Sequence, residues 1–168
     1  LIVDRYMPGA TQEDREAAIP NKLNVNPWWV KGNRLVVVDD SFVRGTTHIP
    51  LMKMLWDAGA EEVHLRLACP LLRWPCFMGM DTRDRNQLIA YKAETALAAS
   101  GQEVNDENLT EWLRQYVNVT SLAFLTVPNL VKACGQAGEN LELACMTGQY
   151  EIEVPLRLRQ KYDLDKHA

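Results

Sequence analysis

The sequence predicts an α/β domain built on a parallel sheet with flanking helices. Three observations carry that expectation. RLVVVDD, residues 34–40, is a β-branched run of the kind buried on both faces of a parallel sheet. HIPLMKMLWDAGA, residues 48–60, follows with apolar residues at helical spacing, and EEVHLRLACP, residues 61–70, reads as the next strand. Strand, loop, helix and strand thus fit in about 35 residues, the span of a βαβ unit with a right-handed crossover.

In chain order, LIVDRYM at the start is a short strand. PGATQEDREAAIPNK is a polar loop around a short helix, broken by Pro and Gly. LNVNPWWVKGN is a turn-rich connector into the first long strand. In the helix after Thr46 and Thr47, Ile49, Met52, Leu55 and Trp56 share one face, Pro50 fits the first turn and Gly59 makes the stop. LLRWPCFMGMDTRDRN is irregular. QLIAYKAETALAAS and LTEWLRQYV are helices separated by the polar break GQEVNDEN. SLAFLTV is a short strand, and PNLVKACGQAG is a helix starting on Pro128. The end of the chain is polar and frayed. No internal repeat or low-complexity tract is present.

The 168 residues suit one domain with a real core, and 47% hydrophobic with 24% charged residues is a globular composition. A net charge of -4 gives no polybasic footprint, which argues against nucleic acid as a partner. No apolar run has the length of a membrane span, and no secretory pattern opens the chain. The four cysteines, Cys69, Cys76, Cys134 and Cys145, form no CxxC pair and are expected as thiols in a cytoplasmic protein.

The chemistry concentrates in LVVVDDSFVRGTT, residues 35–47. In an open α/β sheet, ligands bind beyond the carboxyl ends of strands, where Asp39 and Asp40 fall. The following loop offers backbone N–H groups, hydroxyls, a Gly and the charge of Arg44. It leads into a helix N-terminus, which favours an anion. The acids suit hydroxyls or a metal and the loop suits a phosphate, a combination found in a sugar phosphate. A bare strand-to-helix turn with solvated acids is the plainer alternative. A Walker-type loop is disfavoured by the lack of GK[ST].

The stretch VVVDDSFVRGTT resembles the phosphoribosyl-pyrophosphate signature of the amidophosphoribosyltransferase family. KLNVN upstream and, downstream, MLWDAGAEEVHLRLACPLLRWPCFMGMDTRDRNQLIA, TSLAFLTVPNLVKA and ACMTGQYEIEVP resemble further landmarks of that family in the same order. The likeness runs from about Tyr6 to Pro155. It implies a type I phosphoribosyltransferase-like fold over residues 1–155, incomplete at its N-terminus, and a polar tail over 156–168. It further implies that Asp39 and Asp40 contact the ribose hydroxyls and assist Mg²⁺, while Ser41, Arg44, Gly45, Thr46 and Thr47 wrap the 5′-phosphate. Val43 is expected only to pack. Asp81, in MGMD, resembles a position that faces the site, with a turn residue as the equal alternative.

The implied reaction is transfer of ammonia to C1 of phosphoribosyl pyrophosphate, with release of pyrophosphate, in purine biosynthesis. Phosphoribosyl pyrophosphate and nucleoside monophosphates are the implied ligands, and a homo-oligomer is expected. The family also carries an N-terminal glutaminase domain, which nothing here resembles. By the same resemblance, the strands that precede the acid pair in the family are expected to be missing as well. RYMPGATQEDRE, residues 5–16, is a shortened version of its catalytic loop. The chain alone is therefore expected to bind without turnover and to supply no catalytic residue of its own. A non-catalytic nucleotide-binding or regulatory module that kept the loop is the alternative. Some members hold an iron–sulfur cluster through four Cys. Cys76 and Cys145 match two of those positions and Glu142 stands at a third, so no intact cluster is expected. His48 and His64 read as packed or solvated, and Trp28–Trp29 as a partner surface.

Overall fold

The computed structural model describes residues 25–161. The expectations for the opening strand, the helix in the polar loop and the shortened loop at 5–16 lie outside the described residues, as do residues 162–168.

Three strands form one sheet in the order β1 (Arg34–Asp39), β2 (Glu62–Leu67) and β3 (Ser121–Phe124). Both pairings are parallel, with Leu35 opposite Val63 and Leu65 opposite Leu122. The helices are α1 (Pro27–Val30), α2 (His48–Asp57), α3 (Ile89–Ala99), α4 (Asp106–Tyr116), α5 (Val127–Cys134), α6 (Ala144–Thr147) and α7 (Leu156–Lys161). The predicted α/β fold with a parallel sheet and flanking helices is the one observed.

Alternation on the strands sorts the side chains. Val63, Leu65 and Leu67 of β2 are buried and meet Met52 and Leu55 of α2, Ala93 and Leu97 of α3, and Leu109 and Leu113 of α4. Asn105 caps α4 by accepting a hydrogen bond from the Asn108 N–H at 2.9 Å, so the helix begins inside the stretch expected as a polar break. α1 is one turn within the expected connector. It starts because Asn26 accepts from the Trp28 N–H at 3.0 Å and Pro27 occupies the first turn. Residues 156–161 are helical, and Leu158 packs towards Trp74 and Val154.

One expectation for β1 is corrected. The strand is not buried on both faces: Val36 is 66% exposed and Val38 71%. Among the described residues β1 is an edge strand, and the core lies against its other face, where Leu35 and Val37 pack. An unbroken β-branched run reports strand propensity but not which faces find a neighbour. No helix among the described residues is long and apolar enough to cross a membrane.

Candidate functional site

β1 delivers the two acids at its carboxyl end. The ladder continues to Asp39, whose carbonyl accepts from the Ala68 N–H at 3.0 Å. The Asp40 N–H donates to Asp39 Oδ1 at 2.9 Å, and the Ser41 hydroxyl donates to Asp40 Oδ1 at 2.9 Å. Asp39 is half-buried and Asp40 is exposed. Two carboxylates so close tolerate each other because each accepts a hydrogen bond and Asp40 stays in water.

The loop from Ser41 to Thr47 is pinned by Phe42, only 1% exposed, whose ring stacks on Phe124 with centroids 6.4 Å apart. Gly45 turns the chain at φ +79, and a Cβ there would lie 3.2 Å from Ile49 Cδ1 and 3.3 Å from Phe42 Cε2. The left-handed backbone and the close approach both favour glycine. The Gly45 carbonyl accepts from the Ile49 N–H at 3.0 Å, which joins the loop to the first turn of α2. Thr47 caps α2 by position, without a side-chain hydrogen bond, and is exposed.

Arg44 is engaged from across the chain. Its Nε donates to Gln87 Oε1 at 3.0 Å, and one terminal nitrogen donates to the Asp81 carbonyl and lies 3.5 Å from Asp81 Oδ2. The Val43 carbonyl accepts from the Ile89 N–H at 2.8 Å, at the start of α3. The entry to α3 therefore braces the loop from behind and brings Asp81 beside it. The irregular segment carrying Asp81 is itself held by Arg85, 1% exposed, whose guanidinium sits 3.9 Å from the Trp74 ring centroid and 4.6 Å from that of Tyr91. Arg85 also donates to Glu94 Oε2 at 2.9 Å, and Arg73 donates to Glu94 Oε1 at 2.7 Å.

Sequence reasoning undervalued His48. It is 5% exposed, and its Nε2 lies 3.0 Å from Asp39 Oδ2 on a bent approach. Burial pushes its pKa below the ordinary 6.5, against the opposing pull of Asp39 and Asp40, so the ring is neutral at pH 7. A signal existed: His48, Met52 and Leu55 repeat at helical spacing and are the buried residues of α2. Nothing in the sequence signalled Gln87. His64 lies beside Ser121 Oγ at 2.8 Å and Glu62 Oε2 at 2.9 Å, a local sheet contact.

Cys76 and Cys145 are brought together. The Cys145 thiol is pushed up to about 12 by burial first and then by Cys76, with which it shares a hydrogen bond. Glu142, nearby, accepts from the Ala144 N–H at 2.9 Å. Among the described residues no group of three or more His, Cys, Asp or Glu side chains has a metal-holding arrangement. Magnesium does not need one, since it keeps several waters and is held by one or two carboxylates together with substrate phosphates. Asp39 and Asp40 fit that donor set.

A parallel sheet with flanking helices is the α/β architecture of type I phosphoribosyltransferases, and the solved structures similar to this chain have it. No family model matches the chain. An amidophosphoribosyltransferase of Mycobacterium tuberculosis is 37% identical over 153 residues, covering 91% of this chain and 27% of that relative. One of Methanocaldococcus jannaschii is 38% identical over 159 residues, covering 92% and 30%. In structure, the glutamine phosphoribosylpyrophosphate amidotransferase of Bacillus subtilis complexed with ADP and GMP superposes with a TM-score of 0.61 at 33% identity, over 92% of this chain and 32% of that one. A solved allosteric regulatory enzyme of purine biosynthesis gives a TM-score of 0.58 at 32% identity. The chain belongs to the amidophosphoribosyltransferase family through the C-terminal, phosphoribosyltransferase part of its members, and spans less than a third of the length of these relatives.

Proposed function

We propose that this chain is the ribose-phosphate-binding part of a purine-biosynthesis amidophosphoribosyltransferase. In the reaction, ammonia forms the C1–N bond of 5-phosphoribosylamine while the bond from C1 to the pyrophosphate oxygen breaks. Asp39 and Asp40 take the ribose 2′ and 3′ hydroxyls. Ser41, Arg44, Gly45, Thr46 and Thr47 take the 5′-phosphate, with the N-terminus of α2 supplying a favourable field. Magnesium, held by Asp39 and Asp40 with the pyrophosphate oxygens, would neutralise charge on the leaving group. Residues 1–155 are the phosphoribosyltransferase portion, and 156–168 a polar tail.

The observation that carries this reading is the run from the half-buried Asp39 through the exposed Asp40 to the Gly45 turn and α2. A glutaminase domain would supply ammonia in the complete cytoplasmic enzyme, a homo-oligomer, and this chain alone binds without turnover. Nucleoside monophosphates share the ribose 5-phosphate and bind the same loop.

Calorimetric titration of phosphoribosyl pyrophosphate with Mg²⁺ tests the reading. Binding that Asp39→Asn combined with Asp40→Asn abolishes is the expected result. Absence of binding by the unsubstituted chain, or binding indifferent to both substitutions, would remove the proposal.

A further inference from the structure

The two acids are not equivalent in their surroundings. Asp40 is exposed and its carboxylate accepts from the neighbouring Ser41 hydroxyl. The two Asp39 oxygens differ: Oδ1 accepts from the Asp40 N–H at 2.9 Å, and Oδ2 lies 3.0 Å from His48 Nε2 without an aligned hydrogen bond.

His48 is fixed independently of solvent. It is 5% exposed, occupies the first position of α2, and lies with its ring centroid 4.8 Å from that of Phe42. Its Nε2 is buried and, among the described residues, forms no well-aligned hydrogen bond. A buried ring nitrogen without a partner is costly, and the Asp39 carboxylate is the group within reach. α2 begins immediately after the anion loop, so its first residue is placed by the same packing that places the loop. The contact couples the acid at the strand end to the helix that ends the loop.

We propose that His48 is a positioning residue that holds the Asp39 carboxylate through its Nε2–H, so that Asp39 is a fixed contact for a ribose hydroxyl while Asp40 remains free to adjust to the ligand and its metal. This rests on the ribose-phosphate reading of the loop. A carboxylate oriented by a buried donor is already in its working geometry, and a ligand does not have to order it.

The test compares the full chain with His48→Phe, an apolar substitute that fills the volume, and His48→Gln, which restores an N–H near Nε2. Calorimetry is run with phosphoribosyl pyrophosphate and Mg²⁺, and separately with inorganic phosphate. The expected result is affinity for the sugar phosphate about 10-fold weaker in His48→Phe, recovered in His48→Gln, with inorganic phosphate affinity unchanged. Equal loss for both ligands marks a structural role and overturns the proposal, as does wild-type affinity in His48→Phe. The contact itself is read by ¹⁵N NMR of the His48 ring. An Nε2–H tautomer whose signals move on Asp39→Asn is expected, and an Nδ1–H tautomer or unmoved signals overturn the proposal. If the unsubstituted chain binds no sugar phosphate, the ribose-phosphate reading falls and with it the role of His48 in binding.

Discussion

Arg44 Nε donates to Gln87 Oε1 across 3.0 Å, joining a loop at the end of β1 to the short turn Arg85–Gln87 that leads into α3. The guanidinium has five N–H donors in a planar fork, and those it spends on Gln87 and Asp81 leave others for an anion. Arg44 therefore braces the loop as well as charging it. Gln87→Ala removes the bond to a charged donor and should lower unfolding free energy by about 1.5 kcal/mol in urea denaturation. An unchanged urea midpoint would show that the brace carries no weight.

Gly45→Ala should impair the loop without dissolving the core. The left-handed φ of +79 and the 3.2 Å approach to Ile49 Cδ1 both oppose a Cβ, yet Phe42 and the strand beside it are held by other contacts. Expected is a loss of phosphoribosyl-pyrophosphate binding of 10-fold or more, roughly the effect of 1.4 kcal/mol, with far-UV circular dichroism preserved. Wild-type affinity in calorimetry would count against the loop.

Glu94 neutralises Arg85 inside the fold, with 7% and 2% of their side chains exposed. Glu94→Ala removes the carboxylate that takes bonds from both Arg85 and Arg73 and should cost about 3–5 kcal/mol. Glu94→Gln keeps an acceptor and should cost less. Guanidinium denaturation of both variants measures the difference, and equal stability would contradict the assignment.

Gly148→Ala should destabilise by about 2 kcal/mol, because a Cβ at φ +77 would sit 2.8 Å from Trp74 Cε2. The indole belongs to the stack on Arg85, so it has little freedom to withdraw. A thermal melt within a degree of the parent would refute this.

The thiols should differ sharply towards iodoacetamide. Cys134 is exposed and should alkylate first, while Cys76 is buried. The Cys145 thiol, pushed up to about 12 by burial and then by Cys76, carries very little thiolate at pH 8. Because the thiolate is the nucleophile, its labelling should rise about tenfold for each pH unit until the pKa is reached. Peptide mass spectrometry after timed alkylation reads the order, and early labelling of Cys145 at pH 8 would contradict the buried thiol pair.

Much of the fold was legible because its signals are local. The strand at Arg34–Asp39, the helix beginning beside Thr47, the next strand and the helix at Ile89–Ala99 all follow from periodicity and breakers within a few residues. The acid pair and the glycine turn were legible for the same reason. α6 was not: ACMT is a single turn, too short to show a period. The start of α4 was missed because Asp106, Glu107 and Asn108 look like a loop when the capping role of Asn105 is not considered.

The composition and order of residues 35–47 were enough to set a strand, two acids and a loop turning on a glycine, since backbone preference and side-chain chemistry act at short range. Folding decided what those groups meet. Arg44 and Gln87 are 43 positions apart, Arg44 and Asp81 are 37 apart, and no spacing rule pairs them. It also decided that β1 presents Val36 and Val38 on an open face and that His48 turns inward against Asp39. Such contacts arise because distant elements must bury a shared apolar surface, and the polar groups carried with them must then find partners where that packing leaves them.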